Sequence, residues 1–159
     1  MVYNTSGTYL AAAVIEPTFP LTVHGLSAQG FVVGHTLYGY EPSHANEAHY
    51  LAALLNAPCV DAVIKPFQPK GAFGARQGQG QRHICRRPFE VLPNPIPLFD
   101  PEDGRHLQLA ELSRRCHQRV AGMQLPQSRA IGRLRQEVRE ALREELQEID
   151  RLARELLGL

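Results

Sequence analysis

"FVVGHTLYGYEPSHANEAHYLAALLN", Phe31 to Asn56, changes its period half-way along. Phe31 to Tyr40 is rich in β-branched and aromatic residues and lies between Gly30 and Pro42, so it reads as one strand or two. After Ser43, a residue type suited to an N-cap, Ala48, Leu51, Ala52, Leu54 and Leu55 recur at helical spacing, with Asn46 and Glu47 in the first turn. A short strand pattern running into a helix that strands do not interleave argues for an α+β chain rather than an alternating one.

Working outward, Tyr9 to Ile15 is a short apolar run ending before Pro17, and Thr22 to Leu26 is a second strand candidate. On the other side, Pro58 opens a short helix whose apolar face is Val60, Val63 and Ile64, with Pro66 and Pro69 ending it. Phe89 to Leu92 predicts a strand, and Pro93-Asn94-Pro95-Ile96-Pro97 an extended connector. Leu107, Leu109, Leu112, Cys116 and Val120 fit one helix. Ile131 to Leu156 then carries an apolar residue every three or four positions for about seven turns. That stripe drifts from a strict heptad, which favours a helical hairpin over an extended two-chain coil. The expected fold is therefore α+β: a small, mostly antiparallel sheet with packed helices over 1–100, then a C-terminal helical hairpin over 101–159 packed on it.

Charge is distributed unevenly. The net charge is +1, which alone makes no case for a nucleic-acid partner. Residues 1–61 nevertheless hold no Lys or Arg, whereas residues 62–89 hold Lys65, Lys70, Arg76, Arg82, Arg86 and Arg87 and no acid. Such a footprint attracts phosphates. The segment also carries Gln68, Gln77, Gln79 and Gln81 among glycines that permit close backbone approach. Arg can pair bidentately with phosphate or the O6/N7 edge of guanine, and Gln with the N6/N7 edge of adenine.

Other chemistries lack their constellations. Gly78-Gln79-Gly80 is only a fragment of a phosphate loop, and no strand feeds it. Cys85 near His83 and Cys116 beside His117 have neither CxxC nor HExxH spacing, so no metal site is expected. No Gly-x-Ser-x-Gly elbow occurs, and neither lysine follows an acid two residues earlier. No catalytic residue is assigned. Three widely spaced cysteines suit a reducing cytoplasm. The start shows no signal-peptide pattern, and the apolar runs fall short of a membrane span.

"EAHYLAALLNAPCVDAVIKPFQPKGAFGAR" and "RHICRRPFEVLPNPIPLFDPEDGRHLQLAELSRRCHQRV" together resemble the C-terminal target-recognition region of adenine-specific DNA methyltransferases of restriction-modification systems. The similar motifs are Leu55-Asn56-Ala57-Pro58, Lys65 to Gln68, Gly71 to Gly74, Arg82 to Pro88 and Ile96 to Asp100, followed by the ending "LQEIDRLARELLGL". The resemblance covers roughly residues 28–159. It implies a non-catalytic DNA-binding domain working with a catalytic methyltransferase domain or subunit, with double-stranded DNA as the target and no membrane. Lys65, Lys70, Arg76, Arg86 and Arg87 would then contact phosphates, and Gln68, Gln77, Arg82 and His83 base edges. Phe67, Phe73 and Phe89 are expected in the core, with Tyr38, Tyr40 and Tyr50 packing on sheet and helix.

Two departures stand out. His83 replaces the acid usual after Arg82, and a Gln/Gly insertion around Gln77 to Gln81 lengthens the loop. The S-adenosylmethionine motif and the base-holding Asn/Asp-Pro-Pro-aromatic motif of the family are missing, so the methyl donor would belong to the catalytic part. Asn94-Pro95-Ile96-Pro97 lacks the adjacent proline and the aromatic. A start at Met1-Val2-Tyr3 fits a truncated gene, a split subunit or an excised domain. The alternative is a protein-interaction module acting through the C-terminal hairpin.

Overall fold

The computed structural model describes residues 1–15, 20–23, 26–29, 32–69, 82–84, 87–125 and 130–159, with backbone alone for 20–23, 26–29, 82, 87 and 88. Strands β1 (Val2–Asn4), β3 (Ala12–Ala13) and β6 (Leu37–Gly39) form a three-stranded antiparallel sheet in the order β3-β1-β6. Register pairs Tyr3 with Ala12 on one side and with Tyr38 on the other. Strands β2 (Ser6–Gly7) and β7 (Arg82–His83) pair, as do β4 (Pro20–Val23) and β5 (Leu26–Gln29). The α+β class expected from the change of period is the class found.

The helices are α1 (Ala45–Asn56), α2 (Pro58–Ile64), α3 (Gly104–Ala121), α4 (Ile131–Ala141) and α5 (Arg143–Leu157). The apolar spacing that predicts α1 is the face it buries, with Ala48, Tyr50, Ala52, Ala53, Leu54 and Leu55 inside. Its N-cap is His44 rather than Ser43. The Glu47 carboxylate, in the first turn, accepts from the Ser43 N–H and satisfies the entering chain instead. Pro58 stands at the first position of α2, where its missing N–H costs nothing. The next donor, the Cys59 N–H, meets Asp150 Oδ1 of α5 at 2.5 Å. Burial works against the Asp150 charge, but bonds from Arg154 and Cys59 hold its carboxyl below the usual range. Asp103 caps α3 through the Arg105 N–H.

One core joins the two ends of the chain. Tyr50 and Leu54 of α1, Val60 and Ile64 of α2, Leu109 of α3, Ile149, Leu152 and Leu157 of α5 and the loop residues Leu10 and Ile84 all contribute. Two expectations are corrected. Residues 87–91 form a 3₁₀ turn, not a strand. Pro88 presets the turn, and three-residue spacing points Phe89 and Leu92 together at the core. The long C-terminal stripe is two helices. Leu142, at φ −98° and ψ 14°, bends the chain although no Gly or Pro stands there, and the Leu142 and Leu146 N–H bonds persist across it. Beyond the bend α5 enters the core, whereas α4 buries none of its residues.

The outer edge of β3 is closed by side chains instead of a fourth strand. Asn56 gives its Nδ2 to Ala12 O at 2.8 Å and takes the Ala12 N–H at 3.0 Å. His117 Nε2 takes the Val14 N–H at 2.9 Å. An edge that would otherwise offer free backbone groups is thereby satisfied from α1 and α3. Among the described residues no helix is long and apolar enough to cross a membrane.

Candidate nucleic-acid interface

The basic segment begins on a rigid base. Helix α2 continues into a 3₁₀ turn, Lys65–Phe67, on which Lys65 and Phe67 are exposed. Phe67 is 60% exposed, so it is not the core residue expected from its type. Pro66, the second residue of the turn, fixes its geometry and leaves the flanking Lys and Phe facing solvent. The far end of the segment is held equally firmly. The His83 N–H donates to Pro69 O at 2.9 Å, and the Ile84 N–H to Thr5 O at 2.8 Å, with Ile84 fully buried. Pro69 and His83, on either side of residues 70–82, are thus joined by one hydrogen bond.

Of the predicted contacts, Lys65 and His83 are exposed, the first in the turn before Pro69 and the second bonded to it. Gln68 is not presented to solvent. It is 6% exposed, and neither amide atom has a partner among the described residues. Arg82 and Arg87 are placed by their backbones, in β7 and in the 87–91 turn. Lys70, Arg76, Gln77 and Arg86 lie outside the described residues, as do Phe73 and Cys85. Phe67 is the residue that sequence reasoning missed. The signal for it was its place between two prolines, in a turn too short to fold its ring inward.

The densest cluster of chemically capable side chains lies elsewhere, between α1 and α3. His49 and His117 rings meet edge-on at 5.1 Å. His49 Nδ1 is 3.1 Å from Ser113 Oγ, and His117 Nδ1 is 2.7 Å from Ser113 O. Because Val14 donates to His117 Nε2, that nitrogen is unprotonated, and the proton on Nδ1 goes to Ser113 O. Both nitrogens of His117 are therefore spent on structure. Ser113 is buried. Burial pushes the Cys59 thiol up to about 12 and the Cys116 thiol up to about 11, which removes both as nucleophiles. No group of three metal-ligating side chains occurs among the described residues.

Burial first, then the charges of His117 and Arg114, lower the His49 pKa from 6.5 to about 4. The unfolded chain takes up this proton before the folded one does. Stability is full above pH 6.5 and is lost as pH falls from 6.5 to about 4, by about 1–2 kcal/mol for a half-buried ring. Urea unfolding at about pH 7 and about pH 5 checks this, with His49→Gln expected to show a smaller loss between the two.

No family model, no curated protein and no solved structure matches this chain.

Proposed function

We propose that the chain is a DNA-gripping target-recognition domain, non-catalytic by itself, that serves the catalytic domain or subunit of an adenine-specific DNA methyltransferase. The observation that carries this reading is the acid-free basic run over 62–89, within which the His83 N–H donates to Pro69 O. A pinned loop loses less conformational entropy on meeting DNA than a free one does. Lys65, Phe67 and His83 are all exposed near its described ends. Phosphate contacts by Lys65, Lys70, Arg76, Arg86 and Arg87 would supply affinity, and Gln77, Arg82 and His83 would meet base edges. S-adenosylmethionine belongs to the catalytic partner on this reading, and the place of work is the cytoplasm, where the DNA is.

The alternative module acting through the C-terminal stripe loses much of its surface. Ile149, Leu152 and Leu156 are committed to the chain's own core. What α5 shows to solvent is a ladder in which Arg151 pairs with Glu148 and Glu155, and Arg154 with Asp150. Exposed pairs of this kind carry little energy and no address.

Fluorescence anisotropy with a labelled duplex tests the proposal. Binding in the micromolar range is expected at roughly 50 mM salt, weaker by roughly 100–1,000-fold at 200 mM as about five phosphate contacts release counterions. Arg82→Ala/Arg86→Ala/Arg87→Ala should flatten that salt slope. Phe67→Ala should weaken binding about 5–100-fold if its ring stacks on a base, and leave the melting temperature unchanged. A folded chain with no salt-sensitive binding ends the proposal.

A further inference from the structure

Helix α4 is amphipathic yet buries nothing, although Ile131, Leu134 and Val138 share one face. On that face Leu134 and Val138 are half-buried, and Ile131 is 66% exposed. The face looks onto a cavity of about 580 Å³ bounded by β3, α1, α3, α4 and α5. The volume lies within the roughly 300–1,000 Å³ of small-molecule sites. The lining is apolar, with Ala12, Ala53, Val120, Leu134, Val138 and Ile149 among its residues. Its inner polar groups are already spent: Asn56 is bonded to Ala12, and His117 to Val14 and Ser113.

Unspent polarity is confined to one side. Arg135 and Arg139, successive turns of α4, both line the cavity and both stand over the Tyr9 ring, at 5.8 and 4.8 Å from its centroid. Both are exposed, and neither forms an ion pair among the described residues. Their neighbours differ: Arg143, Arg151 and Arg154 each hold a carboxylate. Two like charges on one ring, at the edge of an apolar space, leave a positive potential that no carboxylate among the described residues answers.

We propose that this cavity binds a small amphiphilic carboxylate, its hydrocarbon body beneath α4 and its head between Arg135 and Arg139. The apolar lining selects the body, because a chain entering the space recovers dispersion contacts that the walls lack. The guanidiniums select the head, since Arg pairs bidentately with a carboxylate, and Tyr9 holds both groups in place beforehand. Helix α4, hinged at Leu142 and not locked into the core, can settle on ligands of different girth. The site is independent of the basic segment and of the DNA reading.

The test uses decanoate below its micelle concentration, with decanol as the uncharged isostere. The chain has no Trp, so Tyr9→Trp places a single reporter at the cavity while keeping an aromatic ring under the arginines. Expected are a saturable blue shift with decanoate in the micromolar range and binding at least 10-fold weaker with decanol. Arg135→Gln/Arg139→Gln should bring decanoate down to the decanol level, and Val138→Phe, which fills the cavity, should weaken both ligands. Titration calorimetry on the unsubstituted chain gives the same comparison without the reporter. Equal affinity for decanoate and decanol, indifference to the arginine changes, or no saturable binding by folded protein would each overturn the proposal.

Discussion

Replacing Tyr50 by Ala is expected to cost about 3–5 kcal/mol, the range for removing a large buried aromatic. Tyr50 is 0% exposed, and its ring lies 4.5 Å from that of His106 and 5.6 Å from that of Phe99. Its hydroxyl donates to Pro97 O at 3.0 Å, so one side chain seats the proline connector on α1 and α3 together. Burial raises its pKa, which keeps the hydroxyl a donor throughout the working range. Tyr50→Phe removes only that bond and should cost about 1–2 kcal/mol, part of it from leaving Pro97 O unpaired. Thermal unfolding separates the two: for a chain of this size roughly 2–4 °C is lost per kcal/mol. A loss under 2 °C in Tyr50→Ala would mean that the connector is seated by something else.

The second large effect is a contrast along the C-terminal stripe. Ile149→Glu should abolish cooperative folding or cost about 4 kcal/mol or more, because Ile149 is 1% exposed within the apolar cluster. Leu134→Glu, in the same run, should cost less, about 1–2 kcal/mol, since Leu134 is only half-buried. Circular dichroism in urea gives both numbers. Equal losses would mean that α4 and α5 act as one continuous helix in the core, against the bend at Leu142.

That bend marks where reading the sequence stops short. The periods of α1, α2 and α3 were legible because each repeats its apolar spacing for several turns and is bounded by Pro, Gly or a cap. Leu142 carries no such mark. What bends the chain is the competition between burying α5 and spanning the gap under α4, which no local pattern contains. Strand β1 was missed because three residues, Val2 to Asn4, are too few to show a period, and β3 shrank to Ala12–Ala13 because its outer partners are the side chains of Asn56 and His117. In the candidate interface the charge block was visible in the residues themselves. The bond between His83 and Pro69, the exposure of Phe67 and the burial of Gln68 depend on how the chain folds. Phe89 shows the same limit: a β-favouring residue follows the proline into a turn.

The last turn of α5 does more than end a helix. Leu157 O accepts from the Asn94 N–H at 3.2 Å, and Gly158, at φ +70°, lies so close to Asn94 that a Cβ there would meet Asn94 Nδ2 at 2.9 Å. Leu152, Ala153 and Leu157 are inner walls for helices made some hundred residues earlier. During synthesis, then, Tyr50 meets Phe99 and His106 first, and the walls from α5 arrive after them. The part of the core that Ile149, Leu152 and Leu157 line therefore closes later than the part that α3 covers.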